Sequence, residues 1–302
     1  CKFIMKKILL INLIILISIL LTLEFGARIY LKIKLGDQNA GLPMKNKNLE
    51  YKPFVMYGEN WDETFKKFNK KLDKNNFNVL LIGGSTAEGF PENILEKSLQ
   101  NRMNKKVKVF NAGYGGYIST QELILLTRYA NKLSPDLIVN INGANDIIHS
   151  LKKNVKPGTF FLNNTYDLYL TKPFLSPIFK VLQSSQLYNA FTRITERKRG
   201  SDYKISDYTE HLNIYIENIK SMSIFCDGLG VKYLNILQPH VIFKNMRHDN
   251  EKKFTLLNYR NEIVKKLYLE IKDKTSNNEI LINNLFDSTN IFENNSEHIF
   301  SD

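Results

Sequence analysis

The chain has 302 residues, of which 43% are hydrophobic and 12% aromatic, so it can bury one sizeable core and is not a disordered chain. Its formal net charge of +12 is compatible with an anionic membrane surface or an anionic polysaccharide as a partner. No helix-turn-helix, RRM or zinc-finger spacing is present in the sequence, so nucleic acid is not predicted as a partner.

The first 35 residues predict a membrane anchor. Residues 8–23 are almost wholly apolar, and apolar positions continue to Leu31, which makes the segment long enough to span a bilayer. Glu24 and Arg28 interrupt this segment one helical turn apart, where they are able to pair. No small-x-small cleavage site follows the apolar run, so an uncleaved signal anchor is predicted over residues 1–35 rather than a cleaved signal peptide.

The charges around the anchor indicate its orientation. Three lysines before the apolar run favour a cytoplasmic N-terminus, although basic residues also follow the run. We therefore predict a single-pass membrane protein whose globular part lies outside the cytoplasm. Residues 36–76 are polar and interrupted by glycine and proline, which indicates a stalk or linker, or the start of the domain.

From residue 77 onward, short apolar strands alternate with amphipathic helices. This alternation predicts a parallel sheet with helices on both faces, in a domain that covers residues 77–302. The fold class is therefore α/β, a three-layer α/β/α sandwich with a five-stranded parallel sheet. The strands are predicted at 78–82, 107–110, 137–141, 231–237 and 279–285, and the helices at 94–103, 119–133, 208–229 and 254–272.

Small and short polar residues follow the first three predicted strands. The first strand leads into Gly-Gly-Ser-Thr at 83–86, the second into Asn-Ala-Gly-Tyr-Gly-Gly at 111–116, and the third into Asn-Gly-Ala-Asn-Asp at 142–146. In parallel sheets, ligands bind beyond the carboxyl ends of the strands. We therefore expect these three segments to meet at one edge of the sheet and to form a site.

The residues at these strand ends suit acyl transfer, which needs a nucleophile, donors for an oxyanion and a base. Ser85 can supply a hydroxyl, and the backbone N–H groups of Ser85 and Gly116 and the side-chain amide of Asn145 can donate to an oxyanion. A phosphate-binding loop is the alternative for the glycine turn. However, a P-loop needs Gly-Lys-Ser/Thr, and a dinucleotide loop needs Gly-x-Gly-x-x-Gly, and neither is present.

The three segments resemble, in order, the first three sequence blocks of the SGNH (GDSL-like) hydrolase family. Residues 83–86 resemble its Gly-x-Ser block, residues 111–119 the block with the oxyanion glycine, and residues 143–146 the Gly-x-Asn-Asp block. Gly84 stands where the family commonly has Asp. Each block alone is a weak signal, and three blocks in order on successive strands make a strong one. The resemblance extends over residues 78–302.

The resemblance implies a flavodoxin-like fold and a serine esterase without a cofactor. Ser85 would be the nucleophile, and the oxyanion hole would consist of Ser85, Gly116 and Asn145. No histidine pair has the spacing of metal ligands, and two cysteines are too few for a disulfide framework, so no metal site is predicted.

The general base is expected in an Asp-x-x-His block after the last strand, where histidine takes the serine proton and aspartate orients the ring. In the register that the resemblance implies, Asp302 is this aspartate, and the histidine falls three residues beyond it. We therefore expect the sequence to be truncated at its C-terminal end. His298 is the alternative base, with Asn295 three positions earlier in place of the aspartate.

Residues 151–206 are too long for a simple connection and are predicted to be a helical insertion or lid. They are rich in aromatic and basic residues, which suit contact with membrane, acyl chains or sugar.

The resemblance implies a membrane-anchored serine ester hydrolase, an O-acetyl esterase or acetyl transferase that acts on cell-envelope carbohydrate. A lipid ester or small ester is the nearby alternative as a substrate. A non-catalytic envelope protein that uses the fold to bind acylated glycan is a second function class, and a nucleotide-binding α/β protein is a third.

Overall fold

The computed structural model describes residues 2–35, 52, 54–55, 57–151, 156–159, 174, 185, 187, 208–252 and 258–299. The chain forms two compact units. One unit consists of residues 1–49 and 164–203, and the other consists of residues 50–163 and 204–302.

The first unit contains helix α1, Lys2–Leu35. Its stretch Ile4–Ile29 is long and apolar enough to cross a membrane, and its large apolar side chains are exposed. The predicted pair is confirmed, because Arg28 Nε donates to Glu24 Oε1 at 3.0 Å. The second carboxylate oxygen of Glu24 accepts from Ser185 Oγ at 2.7 Å and from Leu187 N at 3.0 Å. Both carboxylate oxygens of Glu24, the one acidic residue in this helix, thus accept hydrogen bonds.

The second unit is built on a parallel sheet, which confirms the prediction of five parallel strands. The order β2-β1-β3-β4-β5 is that of flavodoxin-like doubly wound folds. Strands β1 and β3 lie side by side at its centre, with Gly83 paired to Ile141 at their carboxyl ends. The strands are β1 Phe77–Gly83, β2 Val107–Asn111, β3 Leu137–Asn142, β4 Lys232–Leu237 and β5 Leu285–Asp287.

Helices cover both faces of the sheet, so the three-layer arrangement is also confirmed. Alternate side chains of β1, such as Val79 and Leu81, pack towards α4 on one face. On the other face, Phe110 of β2 contacts Phe68 of α2 at a centroid distance of 5.2 Å. The helices of this unit are α2 Trp61–Lys71, α3 Ser85–Glu88, α4 Glu92–Gln100, α5 Ser119–Leu133, α6 Ala144–Ser150, α7 Thr209–Gly228, α8 Asp249–Lys252 and α9 Asn258–Ser276.

Helix α2 lies in the range 36–76, for which the sequence predicted a stalk or the start of the domain. Asn60 caps its first turn, since its side chain accepts from Glu63 N at 3.4 Å. Trp61 and Phe65 are buried, and the ring of Phe65 stacks on Tyr129 of α5 at 4.5 Å. The sequence analysis did not predict this helix, because the segment is mostly polar and only one narrow face of the helix carries apolar side chains.

The predicted position of the fifth strand, 279–285, is wrong. Residues 279–284 form turns, and β5 is confined to Leu285–Asp287. The side chain of Asn278 accepts from Ile280 N at 3.1 Å and from Leu281 N at 3.3 Å, which holds the chain in a turn. Leu281 is buried there, so the apolar run reflects packing of a turn and not a strand.

The predicted helical insertion, residues 151–206, lies almost wholly outside the described residues.

Candidate active site

The turn that carries Ser85 continues directly from the central strand β1. A Cβ on Gly83 would overlap with the carbonyl oxygen of Ile141, and Gly83 has a φ of +140°, so only glycine fits this close approach to β3. Helix α3 begins at Ser85, which is partly buried. Ser85 is therefore held at the carboxyl edge of the sheet by the backbone geometry of the two glycines before it.

The loop after β2 is held against this turn by side chains. Asn111 Nδ2 donates to the carbonyl of Ala87 at 2.7 Å, and Gly115 N donates to Glu88 Oε2 at 3.0 Å. A Cβ on Gly115 would lie 4.0 Å from Ser85 Cβ. The loop thus passes beside the nucleophile candidate at van der Waals distance.

The loop after β3 approaches from the other side. Asn145, near the start of α6, donates from Nδ2 to the carbonyl of Tyr117 at 2.8 Å. A Cβ on Gly84 would overlap with this Nδ2 atom. Gly84, which stands where the resembled family commonly has Asp, therefore leaves the space that the amide of Asn145 occupies beside Ser85.

The three segments 83–86, 111–117 and 142–146, here named the nucleophile rim, hold hydrogen-bond donors that the described residues leave unused. Neither Ser85 N nor Gly116 N has an acceptor in the described part of the chain, and Asn145 Nδ2 uses one of its two hydrogens. Gly115 N, in contrast, is bound to Glu88. Ser85 N lies in the turn itself, and the loops that carry Gly116 and Asn145 pack against this turn.

A buried polar cluster lies beneath the rim. Asp146 accepts from Ser119 Oγ at 2.6 Å and from Ser119 N at 3.1 Å, and Glu122 accepts from Asn142 Nδ2 at 2.8 Å and from Asn140 Nδ2 at 3.1 Å. These bonds join α5, β3 and α6, the elements that flank Gly116 and Asn145. Glu122 lies in the predicted helix 119–133, and the sequence did not indicate that its carboxyl group is buried.

Both carboxyl groups of this cluster titrate at elevated pH. Burial, followed by the negative charge of Asp146, raises the pKa of Glu122 to about 8. Burial also raises the pKa of Asp146 to about 6, although the hydrogen bonds from Ser119 oppose that rise. Glu122 is therefore mainly protonated at neutral pH, which allows it to stay buried.

The described residues do not bring a base to Ser85. Asp302 lies outside the described residues. His298 is exposed, and its ring stacks on His248 at a centroid distance of 5.2 Å, while Asn295 Oδ1 accepts from Glu297 N at 2.7 Å. No hydrogen bond to Ser85 Oγ is present in the ranges that the structure describes. Asp302 and His298 thus remain predictions.

The segment that carries His298 is fixed by a buried ion pair. Lys244 Nζ lies 2.7 Å from Glu251 Oε2, with both side chains almost fully buried, and it also donates to the carbonyl of Glu297. Glu251 Oε1 accepts from Ile299 N at 2.8 Å. We name this arrangement the C-terminal clamp, defined by Lys244, Glu251 and residues 297–299. The ion pair is local, whereas residues 297–299 lie about 50 positions away, and the sequence did not predict their contact with it.

Two other side chains of reactive types, the partly buried His240 and the buried Cys226, lie in the packed domain. His240 Nδ1 accepts from Ile242 N at 3.2 Å, and burial and then Arg247 lower the pKa of His240 to about 4. Burial raises the pKa of the Cys226 thiol to about 12, so this thiol is not a nucleophile at neutral pH. Among the residues that the structure describes, no group of three His, Cys, Asp or Glu side chains is placed to hold a metal ion.

No model of a known protein family matches the chain, and no curated protein sequence matches it. Solved structures do match. A candidate acylhydrolase of Bacteroides fragilis is 16% identical with a TM-score of 0.40, over 76% of this chain and 77% of that chain. A lipase/acylhydrolase from Enterococcus faecalis is 16% identical with a TM-score of 0.34, over 65% of this chain and 71% of that chain. A catalytic variant of an acetylxylan esterase from Geobacillus stearothermophilus is 15% identical with a TM-score of 0.37, over 72% of this chain and 78% of that chain. Similarity at this level assigns no activity to the chain, and what the site can do follows from its own geometry.

Proposed function

We propose that this protein is a membrane-anchored serine ester hydrolase in which Ser85 is the nucleophile. The proposal is carried by three hydrogen-bond donors that the described residues leave with an unused hydrogen, one in the turn of Ser85 and two in the loops that pack against this turn. These donors come from three loops that resemble the SGNH hydrolase blocks in the same order along the chain. An ordinary turn has no need of such an arrangement, whereas acyl transfer requires it.

The chemistry proceeds in two steps. Ser85 Oγ attacks the carbonyl carbon of an ester as its proton passes to a base, and the negative charge collects on the carbonyl oxygen. The N–H groups of Ser85 and Gly116 and the amide of Asn145 donate to that oxygen. Collapse of the intermediate releases the protonated alcohol and leaves an acyl-serine. Water then attacks the acyl-serine, and the acid leaves as Ser85 regains its proton.

The base is proposed from the family resemblance alone. Asp302 would orient a histidine three residues further along the chain, and His298 is the alternative. The C-terminal clamp supports a fixed position for this part of the chain, because it binds residues 297–299 through a buried charge pair.

The proposed substrate is an O-acetylated carbohydrate of the cell envelope, with hydrolysis or acetyl transfer as the outcome and a lipid ester as the alternative substrate. Helix α1, which is apolar enough to cross a membrane, and the net charge of +12 support a site close to an anionic surface. We propose that the catalytic unit lies outside the cytoplasm, on the basis of the lysines that precede the anchor.

A second candidate function is a non-catalytic protein that binds acylated glycan. It is favoured by the observation that the described residues bring no base to Ser85 Oγ. In that case the three donors would bind the carbonyl of an acetyl group without attack by Ser85.

Labelling with a fluorophosphonate probe tests the proposal. The full-length protein in detergent is treated with the probe, and the modified residue is identified by mass spectrometry. We expect labelling at Ser85 and hydrolysis of p-nitrophenyl acetate, and Ser85→Ala should abolish both. Ser276→Ala, which changes an exposed serine at the end of α9, should alter neither. A full-length protein that binds acetylated glycan but is never labelled at Ser85 would instead be the binding protein.

A further inference from the structure

The carbonyl oxygen of Gly116 is held by a side chain from the start of the domain. Tyr57 Oη donates to this oxygen at 2.9 Å, and the Tyr57 side chain is completely buried. Gly116 has a φ of +80°, a backbone conformation that only glycine adopts readily. The Gly116 N–H lies in the peptide plane before the Gly116 Cα atom and the carbonyl in the plane after it, so the bond from Tyr57 holds the second plane, and the backbone torsions at Gly116 relate that plane to the first.

The contact between Tyr57 and the loop is reciprocal. Tyr117 Oη donates to the carbonyl of Tyr57 at 2.7 Å, and Trp61 Nε1 donates to Tyr117 Oη at 2.9 Å. The rings of Tyr57 and Tyr117 meet edge to face at 5.5 Å. Burial raises the pKa of Tyr117 well above its ordinary value, so the hydroxyl keeps its proton and continues to donate.

A glycine permits this close approach. Gly58 has a φ of +143°, and a Cβ on it would overlap with Tyr117 Oη and lie 2.9 Å from Trp61 Nε1. The chain therefore passes against the Tyr117 hydroxyl with no room for a side chain. We name Tyr57, Gly58 and Trp61 the aromatic strap.

We propose that the aromatic strap fixes the backbone at Gly116 so that the Gly116 N–H is oriented for donation to the oxyanion, which makes Tyr57 a positioning residue of the esterase. This inference rests on the proposed function, because an oxyanion forms only if Ser85 attacks an ester. Tyr57 is not placed among the reacting atoms. It acts through Gly116, whose carbonyl it binds and whose N–H is one of the three unused donors.

Simple packing is the competing explanation, since a buried aromatic cluster also stabilises the domain. The hydroxyl of Tyr57 separates the two explanations. Replacement of Tyr57 by Phe retains the ring and its packing but removes the bond to Gly116. A packing role would then leave catalysis intact, whereas a positioning role would lower kcat.

The experiment compares Tyr57→Phe with Tyr129→Phe in the full-length protein. Tyr129 belongs to the same aromatic layer through its stack on Phe65, and its hydroxyl accepts from Arg128 Nε at 3.2 Å. With p-nitrophenyl acetate, we expect Tyr57→Phe to lower kcat about tenfold with little change in KM, because a misdirected donor stabilises the transition state less. Fluorophosphonate labelling of Ser85 should slow by a similar factor. Tyr129→Phe should match the wild type in both assays.

Amide hydrogen exchange provides a readout that does not depend on turnover. In Tyr57→Phe, exchange in residues 113–118 should be faster than in the wild type, and in Tyr129→Phe it should be unchanged. An active wild type with unchanged kinetics and unchanged exchange in Tyr57→Phe overturns this inference alone. A wild type that neither hydrolyses the ester nor is labelled at Ser85 overturns the proposed function, and this inference with it.

Discussion

The two ends of the sheet's carboxyl edge are built in different ways. The nucleophile rim, at the ends of β1, β2 and β3, consists of backbone N–H groups, one amide side chain and glycines that allow close approach. The C-terminal clamp, which follows β4 and β5, depends instead on a buried Lys–Glu pair that binds residues 297–299, about 50 positions further along the chain. Under the proposed function, the rim would supply the nucleophile and the oxyanion donors, and the clamp would fix the residues next to the proposed base.

This difference predicts different responses to substitution. The rim is made largely of main-chain groups, so a change there should impair catalysis more than folding. The clamp buries two charges, so the loss of either charge should lower the free energy of unfolding more than it impairs catalysis.

The largest expected effect is on the clamp. Lys244→Met should lower the free energy of unfolding by about 3–5 kcal/mol, because it leaves the buried Glu251 carboxylate without its cation. Lys272→Met breaks a pair with Asp287 that is partly exposed, and should cost less than about 1 kcal/mol. Urea denaturation measures both values. Equal losses in the two variants would show that burial of the Lys244 pair has no special role in stability.

A smaller effect is expected at the rim from Gly84→Ala. The added methyl group would displace the amide of Asn145, so kcat should fall about 10- to 100-fold while the melting temperature changes little. Gly89→Ala is the matched control, because Gly89 has a φ of −77° and a Cβ there would make only an ordinary contact, 3.4 Å from the Ser85 carbonyl. An unfolding temperature that falls in parallel with kcat would contradict the distinction between rim and clamp.

The smallest expected effect concerns the polar cluster beneath the rim. The pKa of Glu122 is about 8 in the folded protein and 4.5 as its ordinary value. Between pH 4.5 and about pH 8, Glu122 has lost its proton in the unfolded chain but retains it in the folded protein. The free energy of unfolding therefore falls as the pH rises. The slope should be about 1 kcal/mol per pH unit from pH 5 to 8.

Glu122→Gln removes this titration and should reduce the slope most clearly between about pH 6 and 8, because the raised pKa of Asp146, about 6, gives a slope of the same sign at lower pH. Urea denaturation at intervals of pH measures the slope in both proteins. Identical slopes would mean that Glu122 does not keep its proton in the folded protein.

The regions that could be predicted from the sequence are those with local causes. Apolar runs that stop at glycine identified β1, β2 and β3 to within one or two residues, and parallel geometry then required their carboxyl ends to share an edge. Ser85, Gly116 and Asn145 were chosen from the loops that follow these strands, with Gly116 chosen by the family resemblance, and as site residues they stay predictions. Asp302 was predicted from the register of the family resemblance and the insertion at 151–206 from its length, and both lie outside the described residues or nearly so.

The sequence by itself therefore determined which residue types follow the first three strands at one edge of the sheet. They are a serine on a glycine turn and candidate hydrogen-bond donors in the next two loops. Only the tertiary structure decided which side chains meet beneath and beside that edge. The packing of helix α2, the burial of Glu122, the bond from Ile299 to Glu251 and the bond from Tyr57 to Gly116 all depend on residues distant in the chain. Whether a polar side chain is buried depends on the surfaces that fold against it, and no pattern of neighbouring residues records those surfaces.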